Sequence, residues 1–345
     1  MAVHPIPPTN LAFPAGLAYN GPVHENNDSI SDNLPGAPPR PRRWIYLILA
    51  LALLLVATWF LNVSRPGSRV EGCPEGCADA PPRREGPLRV LSLNMLHGFP
   101  RFEHLDDRLD LIAAEIRRLD PDIVCLQEVP WHWGLAAQEL AEGVGLNHLY
   151  MRANGNRWAI LFEEGEAILS RYPLRDAVAT GLAPRAGFFE HRVALQATAV
   201  TPWGDLRVIS THLTHGDPAA NEGQSASLMA FVQAGSTPVL PAIVAGDLNA
   251  RPDSPQIQAL LAGDWIDTFR AAHPGDPGAT CCTDDLTDPD QALDRRIDYI
   301  FLVPGDGVLE VTDSRVIFDR PAQTDGGWLW PSDHAGLLTI LSPAP

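Results

Sequence analysis

The hydrophobic and polar positions divide the chain into stretches of different character. Residues 1–43 show no hydrophobic period and hold nine of the 33 prolines, so we expect a disordered tail that cannot bury enough apolar surface to offset its chain entropy. Residues 44–63 run for twenty positions without a charge. A helix of that length spans about 30 Å, the thickness of a bilayer's hydrocarbon core, which predicts a single transmembrane helix. The Pro, Gly and Arg content of residues 64–87 predicts a flexible linker.

From residue 88 onward, short apolar runs alternate with amphipathic stretches. The amphipathic stretches 104–119 and 219–234 predict helices. The runs that predict strands are Leu88–Asn94, Asp122–Val129, Ala167–Ser170, Arg192–Val200, Leu206–His212, Val239–Asp247, Arg296–Val303 and Gly336–Leu341. Strands interleaved with helices and hairpins predict an α/β domain over 88–345, with one mixed sheet or two sheets.

The arginines around the apolar run predict its orientation. Arg40, Arg42 and Arg43 precede the run, whereas only Arg65 and Arg69 follow closely. The positive-inside rule then predicts a single-pass membrane protein with its N-terminus in the cytoplasm and its large domain outside. A cleavable signal peptide is the competing interpretation, but about 43 residues precede the run and no small-x-small cleavage site follows it.

The charge balance bears on the class of partner. All 25 basic residues are arginine, against 42 acidic residues, and the formal net charge is −17. Residues 88–345 carry all of that net charge, with 18 Arg and 35 Asp or Glu. Binding to nucleic acid depends on many contacts between cations and phosphates, so this composition disfavours a general nucleic-acid binder. The sequence gives no indication of an obligate protein partner.

Five cysteines are too few for a disulfide framework in a chain of 345 residues. The spacing is most simply explained by unpaired thiols with one bridge between Cys73 and Cys77. A bridge between Cys281 and Cys282 stays open, and cysteine usage does not identify the compartment.

Polar side chains that can do chemistry stand at or near the ends of predicted strands. They are two amides, four carboxylates and two imidazoles: Asn94 and Asn249; Glu128, Asp247, Asp298 and Asp333; His212 and His334. Asp247 and Asn249 are two residues apart, so we expect their side chains to face the same way if the extended geometry continues. Two carboxylates suit a Mg²⁺ site, because this ion keeps several waters and takes few protein ligands. Imidazoles can stabilise charge on a phosphoryl group or move protons. No G-x-S-x-G nucleophile motif is present, so the set favours metal-assisted hydrolysis of a phosphoester over acyl transfer.

The order of the motifs resembles that of the endonuclease/exonuclease/phosphatase (DNase I-like) superfamily. The motifs are Asn94, LQEV at 126–129, ILSRYP at 168–173, THL at 211–213, GDLN at 246–249, RIDYI at 296–300 and SDH at 332–334. The resemblance covers about residues 88–342. It implies a four-layer α/β/β/α sandwich, with two mixed sheets packed face to face and helices outside, here preceded by one transmembrane helix. It also implies a site that depends on Mg²⁺, with Mn²⁺ as the alternative ion.

The resemblance implies a metal side of the site. Glu128 resembles the principal Mg²⁺ ligand, Asn94 its neighbour, and Asp333 a further metal-side acid. In one respect the chain departs from relatives that cleave DNA. Those relatives often carry Asp two residues after the first Asn, where this chain has Leu96, which lowers the expectation of an apurinic-type nuclease.

The remaining motif residues resemble a catalytic and substrate-binding set. Asp247 resembles the carboxylate that activates the attacking water, and Asn249 the amide that holds this water or the substrate. His334 resembles the imidazole that contacts the scissile phosphate, and Asp298 the carboxylate that orients it. His212 resembles a second imidazole that faces the phosphate.

These observations predict a membrane-anchored, Mg²⁺-dependent phosphoesterase acting on a phosphodiester or phosphomonoester. The membrane span and the acidic domain favour a lipid headgroup or another small phosphoester as substrate. Aromatic pairs near the motifs, such as Phe188 and Phe189, either contact a lipid surface, stack on a base or pack in the core. One alternative is an extracytoplasmic nuclease acting on DNA or RNA, which requires an Arg cluster at the site. A catalytically silent binding module is another, and the full set of acids, amides and imidazoles argues against it.

Overall fold

The computed structural model describes residues 42–79, 81–83, 85–235, 241–303, 305 and 309–343. The predicted disordered tail lies outside the described residues except for its last two positions. Within those residues the helices are α1 Arg43–Asn62, α2 Leu105–Leu119, α3 Ala136–Val144, α4 Arg157–Ile160, α5 Pro218–Ala234, α6 Pro255–Ala262 and α7 Thr268–Ala272. Helix α1 agrees with the predicted apolar segment to one residue at each end. By its length and composition it is a candidate membrane span, and none of its residues is buried.

The described strands form two mixed sheets and a small hairpin. In chain order they are β1 Glu71–Cys73, β2 Leu88–Asn94, β3 Ile123–Trp131, β4 Asn147–Asn156, β5 Phe162–Ser170, β6 Leu174–Gly181, β7 Val193–Thr201, β8 Gly204–His212, β9 Ala242–Asp247, β10 Ile266–Asp267, β11 Asp298–Val303, β12 Leu309–Ile317, β13 Ala322–Thr324, β14 Gly327–Leu329 and β15 Gly336–Pro343. The first sheet has the order β1-β4-β5-β3-β2-β15-β12, and the second has the order β10-β11-β9-β8-β7-β6. Strands β2 and β3 are parallel, as are β8 and β9, and the other described pairs are antiparallel.

Three apolar clusters show how the layers pack. The central cluster joins the inner faces of both sheets, with side chains such as Ile123 from the first and Ile243 from the second. A second cluster lies between the first sheet and helices α2 and α3, and a third between the second sheet and helices α5 and α6. Helices therefore cover both outer faces of two stacked sheets, which confirms the predicted four-layer α/β/β/α sandwich.

Helix α2 illustrates how the sequence pattern produces a layer. Its apolar positions at a spacing of three and four residues include Ile112 and Ile116, and both are buried against the first sheet. Asp106 and Asp107 lie in its first turn, and arginines lie in its last. Charges of these signs at these ends complement the helix dipole.

The segment 64–87 differs from the expected flexible linker. Strand β1 pairs antiparallel with β4, and the amide of Gly67 donates to the carbonyl of Arg152 at 2.8 Å. The guanidinium of Arg83 donates to the carboxylate of Asp122 at 3.1 Å. A three-residue strand is too short to show a hydrophobic period, and its partner lies more than 70 residues away. Composition alone therefore suggested a linker where the chain is in fact fixed to the domain.

The cysteines also differ from the simplest expectation. Cys73 and Cys77 are paired, and so are the adjacent Cys281 and Cys282, while Cys125 is a buried free thiol. Cys281 bridges to the backbone of both Arg295 and His334. These tertiary contacts fix the position of the pair, and they cannot be read from cysteine spacing.

A buried ion pair holds the start of β11 against the β10–α7 connection. Both guanidinium nitrogens of Arg296 donate to the carboxylate of Asp267, at 2.9 and 2.6 Å. The two side chains are only 1% and 4% exposed. The guanidinium also lies 4.7 Å from the ring centroid of Tyr299, a cation–π distance. Arg296 of the RIDYI motif therefore stabilises the strand that carries Asp298.

We expect Asp267→Asn to lower the melting temperature of the full chain strongly. Loss of one partner of a buried pair leaves the other charge uncompensated, at a cost of about 3–5 kcal/mol, or about 6–20 °C for a domain of this size. Thermal unfolding in detergent, followed by tryptophan fluorescence, measures the shift. Glu103→Gln is the matched control, because Glu103 pairs with Arg101 at 2.9 Å on the surface, where such pairs contribute about 1 kcal/mol or less. Equal melting of the two variants would contradict the assignment.

Candidate active site

The topology gathers the polar strand ends at one edge of the sandwich. Parallel strands β2 and β3 carry Asn94 and Glu128 at or near their carboxyl ends, and parallel strands β8 and β9 end at His212 and Asp247. Strand β11 is antiparallel to β9, so its first residue, Asp298, lies opposite Asp247 in register. Strand β15 is antiparallel to β2, so the residues just before it reach the same edge. These residues are Asp333 and His334.

The backbone has an unusual local geometry at three positions of the site. Glu128 has φ 54° and lies where the pairing of β3 with β5 shifts register between Leu126 and Val129. Asn249 has φ 48°, so Asp247 and Asn249 do not continue in the extended geometry that the sequence suggested. Gly246 lies against β8, where a Cβ atom would collide with the carbonyl oxygen of Thr211. Bulges and left-handed residues of this kind re-aim side chains at functional sites.

His334 lies between two carboxylates at the centre of the site. Its Nδ1 is 3.0 Å from Oδ2 of Asp298, and its Nε2 is 3.8 Å from Oδ2 of Asp247. Burial alone would lower the pKa of His334, but Asp298, Asp247 and then Asp333 raise it well above its usual value. An imidazolium is therefore expected at neutral pH. The Sγ atoms of Cys281 and Cys282 lie 3.7 and 3.8 Å from Nε2.

Asp247 is the carboxylate with the most perturbed acidity on this side of the site. Burial and the charge of Asp298 raise its pKa to about 7. Its Oδ1 accepts from the amide of Asn249 at 2.8 Å, and its Oδ2 accepts from Nδ2 of Asn94 at 3.1 Å. A carboxylate that titrates near neutrality and is held on both oxygens is suited to proton transfer.

His212 is a neutral imidazole whose tautomer is set by an arginine. Burial, and then the charge of Arg192, lower the pKa of His212 well below its usual value. Nη1 of Arg192 donates to Nδ1 of His212 at 2.9 Å, so the ring proton lies on Nε2. That nitrogen is 3.3 Å from Oδ2 of Asp247, which accepts its proton in a hydrogen bond.

Glu128 and Asp333 are a second pair of neighbouring acids in the site. Burial would raise the pKa of Glu128, yet the imidazole of His97 and further cationic groups lower it to about 2. Its Oε2 accepts from the amide of His97 at 3.2 Å, and Nε2 of His97 lies 3.5 Å away. Burial raises the pKa of Asp333, and the charge of Glu128 contributes to this rise. An ionised carboxylate beside a second buried acid is a donor set that fits a hard divalent cation.

Asn94 is hydrogen-bonded to two acids of the site and to its own loop. Its Nδ2 donates to Oε1 of Glu128 at 3.3 Å, as well as to Asp247. Its Oδ1 accepts from the amide of Leu96 at 3.1 Å. The side chain thus joins the two sheets and orients both acids. The residue type alone does not show that the amide oxygen of Asn94 accepts a hydrogen bond within a local turn.

A further set of acidic and amide groups extends from the site toward its rim. Asn154 donates to Glu164, which is buried and has its pKa raised by burial, and Asn154 also binds the backbone of His191. Among the described residues, Asp247, Asp298 and His334 have the spacing of a metal-ligand group. Cys281 and Cys282 also lie near His334, but their sulfurs are joined to each other and so do not provide the thiolates that bind metals. Nδ2 of Asn94 donates both to Glu128 and to Asp247 of the metal-ligand group, and so connects the two acids.

Sequence reasoning missed two arginines that organise the site. Arg108 is 1% exposed, and its Nη atoms donate to the carbonyls of Met95 and Leu96 at 2.8 and 2.9 Å. It therefore fixes the loop after β2. The available signal was its position three residues after Leu105, on the apolar face of the predicted helix. Arg192 stood at the start of a predicted strand, and only tertiary structure brings it to His212.

Comparisons with known proteins identify the family of the chain. The model of the Endonuclease/Exonuclease/phosphatase family matches residues 91–334. The inositol phosphosphingolipids phospholipase C of Schizosaccharomyces pombe is 27% identical over 305 residues, covering 74% of this chain and 68% of its own length. Protein angel of Drosophila melanogaster is 27% identical over 233 residues, which is 59% of this chain and 61% of that protein.

A solved structure of an endonuclease/exonuclease/phosphatase from Beutenbergia cavernae has the same fold. It matches with a TM-score of 0.57 and 27% identity, covering 76% of this chain and 72% of that one. The family match spans most of the four-layer domain and includes every motif residue from Asn94 to His334. The chain therefore belongs to the endonuclease/exonuclease/phosphatase family, whose members are phosphoric ester hydrolases.

Proposed function

We propose that this chain is a membrane-anchored, Mg²⁺-dependent phosphodiesterase that hydrolyses the headgroup ester of a membrane lipid. The observation that carries the proposal is the convergence of Glu128, Asp247, Asp298 and His334 at one edge of the sandwich. The chain also contains an apolar helix long enough to span a bilayer. The similarity to a phospholipase C supports the lipid substrate. The orientation we propose has the N-terminus in the cytoplasm and the catalytic domain outside.

The metal side of the mechanism rests on Glu128 and Asp333. Glu128 is ionised at all ordinary pH values and would be the principal ligand of Mg²⁺, with Asp333 as the second acid and Asn94 orienting Glu128. When bound, the cation neutralises charge on a phosphoryl oxygen and so favours attack at phosphorus. Mn²⁺ suits the same oxygen donors.

The proton side of the mechanism rests on Asp247 and His334. Asp247, with its pKa near 7, accepts a proton from the attacking water, which Asn249 holds in place. The imidazolium of His334 stabilises the negative charge that develops on the phosphoryl oxygens. Asp298 accepts from Nδ1 of this imidazolium and keeps Nε2 directed into the site. His212 presents its Nε2 proton to the same region.

The charge distribution favours a lipid over a nucleic acid. Residues 88–345 carry the whole net charge of −17, which repels a polyanion. Near the site, Arg192 is bonded to His212, and Arg108 is bonded to backbone carbonyls. Both arginines are thus already engaged within the protein. The same buried, mutually bonded acids and imidazoles argue against a silent binding module.

We expect Glu128→Gln to abolish turnover at millimolar Mg²⁺, because a hard ion held by few carboxylates loses its affinity when the main ligand becomes neutral. The assay compares sphingomyelin in vesicles, p-nitrophenyl phosphorylcholine and single-stranded DNA, each with and without EDTA. Glu142→Gln, on the exposed face of α3, is the matched control and retains wild-type rates. Wild-type turnover that persists in EDTA would refute the metal dependence, and hydrolysis of DNA alone would refute the lipid substrate.

His334→Ala and Asp298→Asn should each reduce kcat by about 10²–10⁴, as expected for groups that stabilise charge or transfer protons, with little change in KM. Because the two act as a unit, the double variant should be little worse than His334→Ala alone. Thermal melts separate this from unfolding, since a catalytic role leaves the transition near that of the wild type.

A double variant whose loss equals the full product of the single losses, at unchanged stability, would show that Asp298 acts independently of His334. In that case Asp298 belongs with the metal-side acids, and the pairing at 3.0 Å has no catalytic role.

A further inference from the structure

The C-terminal end of α1 is bonded to the catalytic domain. Nε1 of Trp59 donates to the carbonyl of Ala159 at 3.3 Å, and Nδ2 of Asn156 donates to the carbonyl of Asn62 at 3.0 Å. Just beyond the helix, the hydroxyl of Ser64 donates to the carbonyl of Phe189 at 2.8 Å. The point at which the apolar helix ends is therefore fixed against one particular surface of the domain.

Large apolar side chains are exposed on that surface. The ring of Phe60 lies 5.5 Å from the ring of Phe188 and 5.2 Å from that of Phe189. Phe188 and Phe189 are 52% and 45% exposed, and Trp158, next to Ala159, is 89% exposed. Leu161, at the end of α4, is 52% exposed. We call Phe60, Trp158, Leu161, Phe188 and Phe189 the aromatic platform.

The platform adjoins the active site through two short connections. Phe162 follows Leu161 directly, and its ring lies 5.2 Å from that of His97, whose Nε2 is 3.5 Å from the carboxylate of Glu128. Arg192, which donates to His212, is three residues after Phe189, a span of about 10 Å at most. The exposed apolar side chains and the catalytic groups thus belong to the same rim.

We propose that the aromatic platform inserts into the headgroup–acyl boundary of the bilayer that α1 spans, and that it holds the active site over the phosphoester of a membrane phospholipid. This inference rests on the proposed function for its substrate. A transmembrane helix ends at the interface, so the residues bonded to Trp59 and Asn62 lie at the same depth. Tryptophan and phenylalanine favour this depth, and exposed apolar patches of this kind mark interaction sites.

The occupant is a phospholipid bilayer because attachment to α1 brings the membrane to this surface. The domain's net charge of −17 gives no general attraction to anionic headgroups, so apolar insertion has to provide the contact. A second copy of the chain would leave the end of α1 and the platform at the same membrane surface. If the platform packed against a second copy instead, it would be shielded from lipid, and the test below would give the contrary result.

Insertion is measured on the full chain reconstituted in phosphatidylcholine vesicles, with brominated phosphatidylcholine as a quencher of tryptophan fluorescence. Comparison of the wild type with Trp158→Phe isolates the emission of Trp158. We expect that emission to be quenched at least twofold by the brominated lipid. Emission that is unaffected by the brominated lipid would overturn the inference, whether the platform faces water or a second copy. This reading does not depend on catalysis.

Delivery of substrate is measured with the double variant Phe188→Ser, Phe189→Ser in the same vesicles. We expect turnover of sphingomyelin in the bilayer to fall at least tenfold, with less than a twofold change for soluble p-nitrophenyl phosphorylcholine. Leu261→Ser is the matched control, since Leu261 is 37% exposed on α6, and it should leave both rates unchanged. Equal sphingomyelin rates in the double variant and the wild type would overturn the inference. Failure of the wild type to hydrolyse either substrate would refute the proposed function, and quenching of Trp158 would still decide insertion.

Discussion

Repulsion among acids packed into one buried edge is the constraint on which this site depends. Asp247 lies opposite Asp298 in register, and the charge of Asp298 raises the pKa of Asp247. The charge of Glu128 likewise contributes to the raised pKa of Asp333. The fold tolerates them because cationic and hydrogen-bonding groups lie between them. His334 bonds Asp298 and approaches Asp247, while Asn94 donates to both Glu128 and Asp247.

The two sheets provide the framework that makes this arrangement possible. Each sheet contributes one parallel pair of strands whose carboxyl ends reach the same edge, and one antiparallel strand whose first residues return to it. The buried pair Arg296–Asp267 fixes the returning strand β11, and Arg108 fixes the loop after β2. The strand and the loop that position the candidate site are therefore both held by buried arginines.

The sequence was sufficient for the catalytic framework, because the acids, amides and imidazoles stand at the ends of apolar runs that form buried strands. Asn94 and Asp247 were predicted in this way and are the last residues of β2 and β9. Asp298 was predicted inside a strand that starts at Arg296, whereas the structure makes it the first residue of β11. Local sequence patterns did not predict the contacts between distant segments. The pairing of β1 with β4 joins Cys73 to His148 and Glu71 to Tyr150, which are 75 and 79 positions apart. The bond from Arg192 to His212 joins residues 20 positions apart. The left-handed backbone at Asn249 likewise changed a geometry that alternation alone predicted as extended.

We propose that Glu128, rather than the Asp247–Asp298–His334 cluster, holds the catalytic cation. Anomalous diffraction from crystals of the protein grown with Mn²⁺ tests this directly, because manganese scatters strongly and takes the same oxygen ligands. We expect an anomalous peak at bonding distance, about 2.1 Å, from a carboxylate oxygen of Glu128. A peak located only among Asp247, Asp298 and His334, with none beside Glu128, would contradict it.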